Sequence, residues 1–319
     1  SRQAAAARPR LRFPPRPAAT EPPEDIDLLE DVDPAQLPAF AFSTDELSMG
    51  PSNLGSWSFD FAPLVNGARI SNLRMEEENS RISGTTPDAG AVVDWRYHAG
   101  THSSRFEGVF AASDLARVMP KWGHDANVVS RSANFDSVLT WPGSPLAFSL
   151  KKASGDIDMA IDGGRFADIE SGSSRLLGAF NFDSLVRRLE LDFSDIYQRG
   201  FSFDTIRGEL GFTDGVVAFT TPLVIDGPSS RISIEGEINL PLETIAADMQ
   251  VRIPLGENIS MLAGLLGAWP IALSTYIASK IFAEQVDDFT TIIYRLDGPW
   301  SDPQAGFEPP EEATTPATP

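Results

Sequence analysis

The stretch RISIEGEINL, residues 231–240, decides the fold class. Ile232, Ile234, Ile238 and Leu240 alternate in it with Ser233, Glu235, Glu237 and Asn239. Successive side chains on a strand point to opposite faces, so a period of two predicts a strand that is apolar on one face only. The next stretch repeats the pattern with Met249, Val251 and Ile253 between Asp248, Gln250 and Arg252. Upstream, the same rule recovers Ile206, Leu210 and Phe212, then Ile157, Met159 and Ile161, then Leu146, Phe148 and Leu150. Further upstream it recovers Phe135, Leu139 and Trp141, then Phe106 and Phe110, then Val93, Trp95 and Tyr97; downstream it recovers Ile292, Tyr294 and Leu296. Turn pairs such as Asn66-Gly67 and Asp214-Gly215 separate the runs. Short strands joined by such turns predict a mainly β chain with an antiparallel meander, not a βαβ fold.

Composition narrows the function. The 319 residues hold 25 Lys+Arg against 45 Asp+Glu, a formal charge of −20. An acidic chain lacks the basic footprint that displaces counterions from nucleic acid, and it is repelled by anionic headgroups. With no Cys, thiol catalysis, disulfides and Cys-ligated metals are excluded.

The organisation reads as follows. Residues 1–36 form an Arg/Pro-rich and then acidic linker, expected to be disordered and solvated; any anchor or export signal is expected upstream. Residues 37–255 form the β region and 256–288 an apolar hairpin. Residues 289–307 form a last strand with a Gly-Pro-Trp turn, and 308–319 a second disordered tail. Two short helices are expected, over 114–122 and 173–188, the second amphipathic and closing one end of the sheet. A weak internal repeat relates Asn66-Gly67, Leu73, Met75 and Ser80-Arg81-Ile82-Ser83 to Asp214-Gly215, Leu223, Ile225 and Ser230-Arg231-Ile232-Ser233. It suggests a sheet built from modules.

Residues 259–279 carry no charge, and a bilayer core needs about 20 apolar residues of helix. Pro270 would break a single span, so two helices, 259–268 and 270–283, fit better, with Pro opening the second. Three fates are open: a soluble hairpin capping the sheet, a hairpin meeting or entering a membrane surface, or a span. The membrane-proximal hairpin is favoured, with Leu262, Leu265, Leu266, Trp269, Ile271, Leu273 and Ile277 as its contact residues.

Catalytic chemistry finds no motif. His98, His102 and His124 read as solvent-facing. Asp156, Asp158 and Asp162-Gly163 are similar to a calcium loop, but Ala160 stands where a ligand belongs. No catalytic residue, metal or cofactor is expected. One-faced strands must hide their apolar face, worth about 25 cal/mol per Å². Two packed sheets would do this, and so would one curled sheet enclosing acyl chains.

From residue 200 the text GFSFDTIRGELGFTDGVVAFTTPLVIDGPSSRISIEGEINLP, then the apolar hairpin, then YRLDGPWSDP at 294–303, resembles the C-terminal region of the YhdP family. That family belongs to the AsmA-like group with TamB. The similarity extends through TWPGSPLAFSL (140–150) and 163–191, and so covers most of 40–307. The resemblance implies a long periplasmic protein of a Gram-negative bacterium, anchored in the inner membrane by an N-terminal helix. It implies an elongated, curled antiparallel sheet forming a hydrophobic groove that carries phospholipid towards the outer membrane, with the C-terminal hairpin at that end. On this reading the 319 residues are expected to be without the family's anchor and most of its repeat length. On this reading the groove is lined by Val93, Trp95, Phe106, Phe110, Phe135, Leu139, Phe148, Ile157, Ile206, Leu210, Phe212, Ile232, Ile234, Ile238, Met249 and Val251. The alternative is a non-catalytic envelope scaffold with a closed sandwich.

Overall fold

A computed structural model describes residues 10–13, 27–86, 88–122, 126–166, 202–228, 230–254, 289–299 and 304–307. Its strands are β1 Arg10–Phe13, β2 Phe40–Thr44, β3 Glu46–Met49, β4 Ser52–Asn53, β5 Ser56–Leu64 and β6 Gly67–Glu77. Next come β7 Ser80–Ser83, β8 Ala91–His98, β9 Thr101–Ala112, β10 Val128–Pro142, β11 Ser154–Phe166 and β12 Ser202–Thr213. The last are β13 Val216–Phe219, β14 Leu223–Asp226, β15 Arg231–Asn239, β16 Thr244–Pro254, β17 Phe289–Pro299 and β18 Gln304–Phe307. Among the described residues one α-helix, α1 Leu115–Val118, continues into a 3-10 turn, Met119–Trp122.

Fifteen strands make one antiparallel sheet in the order β18-β17-β16-β15-β13-β12-β11-β10-β9-β7-β6-β5-β2, with β14 beside β13 and β8 beside β7. A small sheet, β1-β3-β4, stands apart, its β1–β3 pair parallel. At about 4.8 Å per strand the long ladder extends roughly 55–60 Å. Twist accumulated over so many strands makes a sheet of this width curl.

The two rims differ. On one, tight turns close β5–β6, β8–β9 and β12–β13. Ala99-Gly100 and Asp214-Gly215 both take positive φ at each residue, the type I′ geometry that suits strand twist. The other rim sends out the longer connections, after β9, β11 and β16. There Asp114 caps α1 by accepting from the Ala116 N–H, and Leu115 and Val118 join the core. The Lys121 ammonium binds the Glu77 carboxylate, and Trp122 meets Trp57 edge-on, so this short helical piece ties β9–β10 to β5–β6.

The repeat expected from sequence is present as structure. In the first copy Met75 faces Ile82, and in the second Ile225 faces Ile232. Both copies break at one level. β6 is kinked between Ile70 and Leu73, where Asn72 takes a φ of 52°, and the equivalent strand is interrupted between β13 and β14. An extra residue in a strand bends it and raises its twist, so these breaks place curvature at matching points.

Three expectations are corrected. Residues 146–150 are not a strand: Pro145–Ala147 and Leu150–Lys152 are 3-10 turns, because Ser144 caps the first and Pro145 opens it. Residues 27–36, read as solvated linker, are seated on the sheet; Asp33 caps a 3-10 turn at Pro34–Gln36 whose Pro34 is buried. His102 is not solvent-facing but buried, with both ring nitrogens engaged. The expected helix over 173–188, the apolar hairpin at 256–288 and the tail at 308–319 lie outside the described residues, as does His124.

Candidate functional site: the enclosed apolar face

Register decides which side chains share a face, and here it aligns one apolar face from β16 to β5. Val251, Ile232, Ile225, Ile206 and Ile161 face one another in turn from β16 to β11. A second row runs Met249, Ile234 and Leu223; on the same face Met159, Phe135, Phe110, Ile82 and Met75 follow from β11 to β6. A third runs from Ile245 through Ile238, Val217, Phe212, Gly155, Leu139, Phe106, Val93 and Ile70 to Phe61. A one-residue slip anywhere would turn a strand's apolar set outward, so burial of this face fixes the register.

Fifteen of the sixteen expected lining residues stand on this face. Val93, Trp95, Leu139, Ile206, Leu210, Phe212, Ile232, Ile234, Ile238, Met249 and Val251 are buried. Phe106, Phe110, Phe135 and Ile157 are half-buried and pack against the same cluster. The exception is Phe148, which is 49% exposed and lies edge-on to Trp141 outside any strand. Alternation misplaced it because a short run of apolar residues in a 3-10 turn mimics period two. The seven hairpin contact residues, Leu262 to Ile277, lie outside the described residues. Sequence reasoning missed Phe61, Ala68 and Ile70 of β5–β6, where the register shifts between Ser58 and Asp60 on β5 and between Ile70 and Leu73 on β6.

The opposite face is polar and laced with cross-strand ion pairs. The Arg69 Nε donates to Asp94 Oδ1 at 2.7 Å, and the Arg295 Nε to Asp248 Oδ1 at 3.0 Å. Arg207 binds Asp162 in the same manner. The Arg69 guanidinium holds the Asp94 carboxyl below its ordinary range, Arg207 does the same to Asp162, and Asp94 in turn raises Arg69. Such exposed pairs add little stability, but they mark which side meets water. Asp158 stands opposite Asp136 on β10 and Glu209 on β12. Among the described residues no group of acids and histidines is arranged to hold a metal ion.

At the tight-turn rim a short segment crosses the end of the apolar face. Leu29 and Val32 pack on Phe61, Ala68 and Trp95. Asp27 Oδ2 accepts from the Ser144 N–H at 2.7 Å, and Asp27 Oδ1 accepts from the Ser144 hydroxyl and from the Leu29 N–H. Burial works to raise the Asp27 carboxyl, but the Ser144 and Leu29 donors outweigh it and hold it below the ordinary carboxylate range. The Trp95 indole N–H can only donate, so His102 Nδ1 accepts from it at 2.9 Å. His102 Nε2 then donates to the Glu30 carbonyl at 2.8 Å.

Among the described residues no helix is long and apolar enough to cross a membrane. The family model described as YhdP protein matches residues 4–305. The intermembrane phospholipid transporter YhdP of Escherichia coli strain K12 is 24% identical over 253 residues, which cover 78% of this chain and 20% of that protein. The chain thus spans about a fifth of the length of the curated relative it matches. No solved structure matches it. The family match takes in the ladder from β2 to β17, both copies of the repeat and the segment across the rim, and on that ground the chain belongs to the YhdP family.

Proposed function

We propose that this chain is a segment of a phospholipid carrier of the Gram-negative envelope, and that its apolar face shields acyl chains as they pass between the inner and outer membranes. The observation that carries the reading is the apolar row in register from Ile245 on β16 to Phe61 on β5. Each methylene kept from water on such a floor is worth about 0.8 kcal/mol, so a continuous row spares a sliding tail the cost of wetting at every step. Headgroups stay at the rim, in water. The relative's name supports phospholipid as cargo and the space between membranes as location. Movement along a surface makes and breaks no covalent bond, so the reading calls for no catalytic residue and no cofactor.

The test is photocrosslinking in cells. A photoreactive residue at inward Phe110, Phe135 or Phe212 should capture phospholipid, and one at outward Glu235 or Asp158 should not. A folded protein that captures no lipid from inward positions would sink the proposal. The deep burial of β12–β17, where Val217 is 0% and Ile234 3% exposed, favours a second reading, a scaffold whose interior is closed by protein. Capture of protein alone from Phe212, with none of lipid from Phe110, would support the scaffold.

A further inference from the structure

The tight-turn rim holds three hydrogen-bond donors that the sheet does not use. They are the Ser144 N–H, the Ser144 hydroxyl and the His102 Nε2–H, on residues that are 0% and 5% exposed. They lie close together, because the Gly143 N–H beside Ser144 donates to the His102 carbonyl. All three donate to oxygens of one short segment: the two carboxylate oxygens of Asp27 and the carbonyl of Glu30. Two and five residues on, Leu29 and Val32 rest on the apolar face at Phe61, Ala68 and Trp95. Residues 27–33 therefore present an anionic group at the rim and aliphatic groups on the floor, which is the layout of an anionic amphiphile. The segment's own hold is limited to three local bonds, Glu30 N–H to the Asp27 carbonyl, Val32 N–H to the Leu29 carbonyl and Leu29 N–H to Asp27 Oδ1. The strands beneath it pair through their own ladders.

We propose that residues 27–33 are a displaceable strap over a rim site for the phosphate of a phospholipid. Asp27 occupies the place of the phosphate, and Leu29 and Val32 that of the adjoining acyl chains. This rests on the conduit reading for its ligand. With the strap seated, the rim at β8–β10 is closed to lipid from the side; an arriving phospholipid takes over the Ser144 and His102 donors and lifts the strap.

Hydrogen exchange on the full chain, read at amides 29–36, tests this with three probes: dihexanoyl phosphatidylglycerol below its micelle concentration, inorganic phosphate, and dihexanoylglycerol. The phospholipid should speed exchange of these amides about 10-fold or more, since the donors released are worth that factor. Amides of β8–β10 should stay protected. Neither of the other two probes should move the strap. Val32→Asp frees the strap without altering the sheet, and should lower the phospholipid concentration for half-saturation about 10-fold. Release by inorganic phosphate alone would make this a free-anion site and overturn the lipid assignment. Unchanged exchange in phospholipid, or unchanged lipid binding in Val32→Asp, would overturn the strap and leave residues 27–33 as a fixed cover. If lipid is still captured from Phe110 while the strap stays put, the strap fails alone. If the strap is released by phospholipid but no lipid is captured inside, the conduit fails and the rim site stands.

Discussion

The two copies of the repeat solve one problem with different side chains. In the second copy Leu223 faces Ile234 and Ile225 faces Ile232; in the first, Leu73 faces Ala91 and Met75 faces Ile82. The offset between copies is 150 from Ile82 to Ile232 and 143 from Trp95 to Ile238, a difference of seven. Residues 84–90 account for that difference: they loop out between β7 and β8, where β15 runs straight on. Gly90 sits so close to the kink that a Cβ on it would lie 2.3 Å from the Asn72 carbonyl carbon. In the second copy the matching level is left open, between Thr220, Pro222, Glu235 and Gly236. Volume is also redistributed. The second copy places Ile234 and Met249 at mid-face and Gly236 and Ala247 beside them. The first places Ala91 and Gly108 at mid-face and Trp95, Phe106 and Phe110 around them. Cores tolerate such exchange if total volume is kept, so what the copies share is register and curvature, not side-chain shape.

The sharpest way to break this comparison is to load each mid-face with charge. Ile234→Asp buries a carboxylate between Leu223 and Met249 and should cost on the order of 4 kcal/mol or more. Phe110→Asp, at a half-buried position, should cost about half as much. Urea midpoints measure both, and equal losses would mean that the two faces are enclosed alike. A size exchange comes next. Ile234→Ala should cost about 2–4 kcal/mol through the cavity it leaves. Ala91→Ile should cost about 1–3 kcal/mol by overpacking, because Ala91 is fully buried and its Cβ is already 2.5 Å from where Gly108 would carry one. If Ala91→Ile stabilised the fold, the first mid-face would be a void and not a redistributed volume.

Excising residues 84–90 turns the first copy into the second. Ile82 and Ala91 then fall two apart on one strand and keep their inward face. The cost should be small, roughly 1 kcal/mol, from the lost Gly84–Ala89 backbone bond and the Arg74 contact with the Asp88 carbonyl. Far-ultraviolet circular dichroism and a thermal melt would check it: a retained β spectrum and a single transition are expected, and loss of cooperativity would mean that the copies are not equivalent.

Which parts were legible follows from the same physics. Alternation reports which face a residue takes, so Ile232, Ile234, Met249 and Val251 were placed from sequence alone. It works wherever strands run straight, and it fails at kinks and turns. Ile70 and Leu73 share a face although they are three apart, because Asn72 adds a residue, and period two cannot follow that. Phe148 fails for the opposite reason, since its spacing is right but its backbone turns. The strap was hidden because its charges are those of a solvated run. Only long-range partners, Ser144 for Asp27 and His102 for Glu30, set it apart, and no local pattern encodes a contact 117 residues away.

Acid gives the smallest effect. Asp27 and Glu77 both sit below the ordinary carboxylate range. For Asp27 burial is outweighed by the Ser144 and Leu29 donors; for Glu77 burial is outweighed by Lys121 and the Asn79 N–H. A carboxyl depressed by folding contributes stability that is complete above its unfolded value, near pH 4, and lost as pH falls through the lower folded value. Neutral pH should therefore leave the strap seated, and the protection of amides 29–36, taken against the intrinsic rate at each pH, should fall only as pH drops below about 4. Asp27→Asn keeps the shape but accepts more weakly and cannot titrate at this site. Its strap should exchange faster at pH 7 and lose most of the acid dependence, and an acid response undiminished in this variant would remove Asp27 from the hinge of the strap.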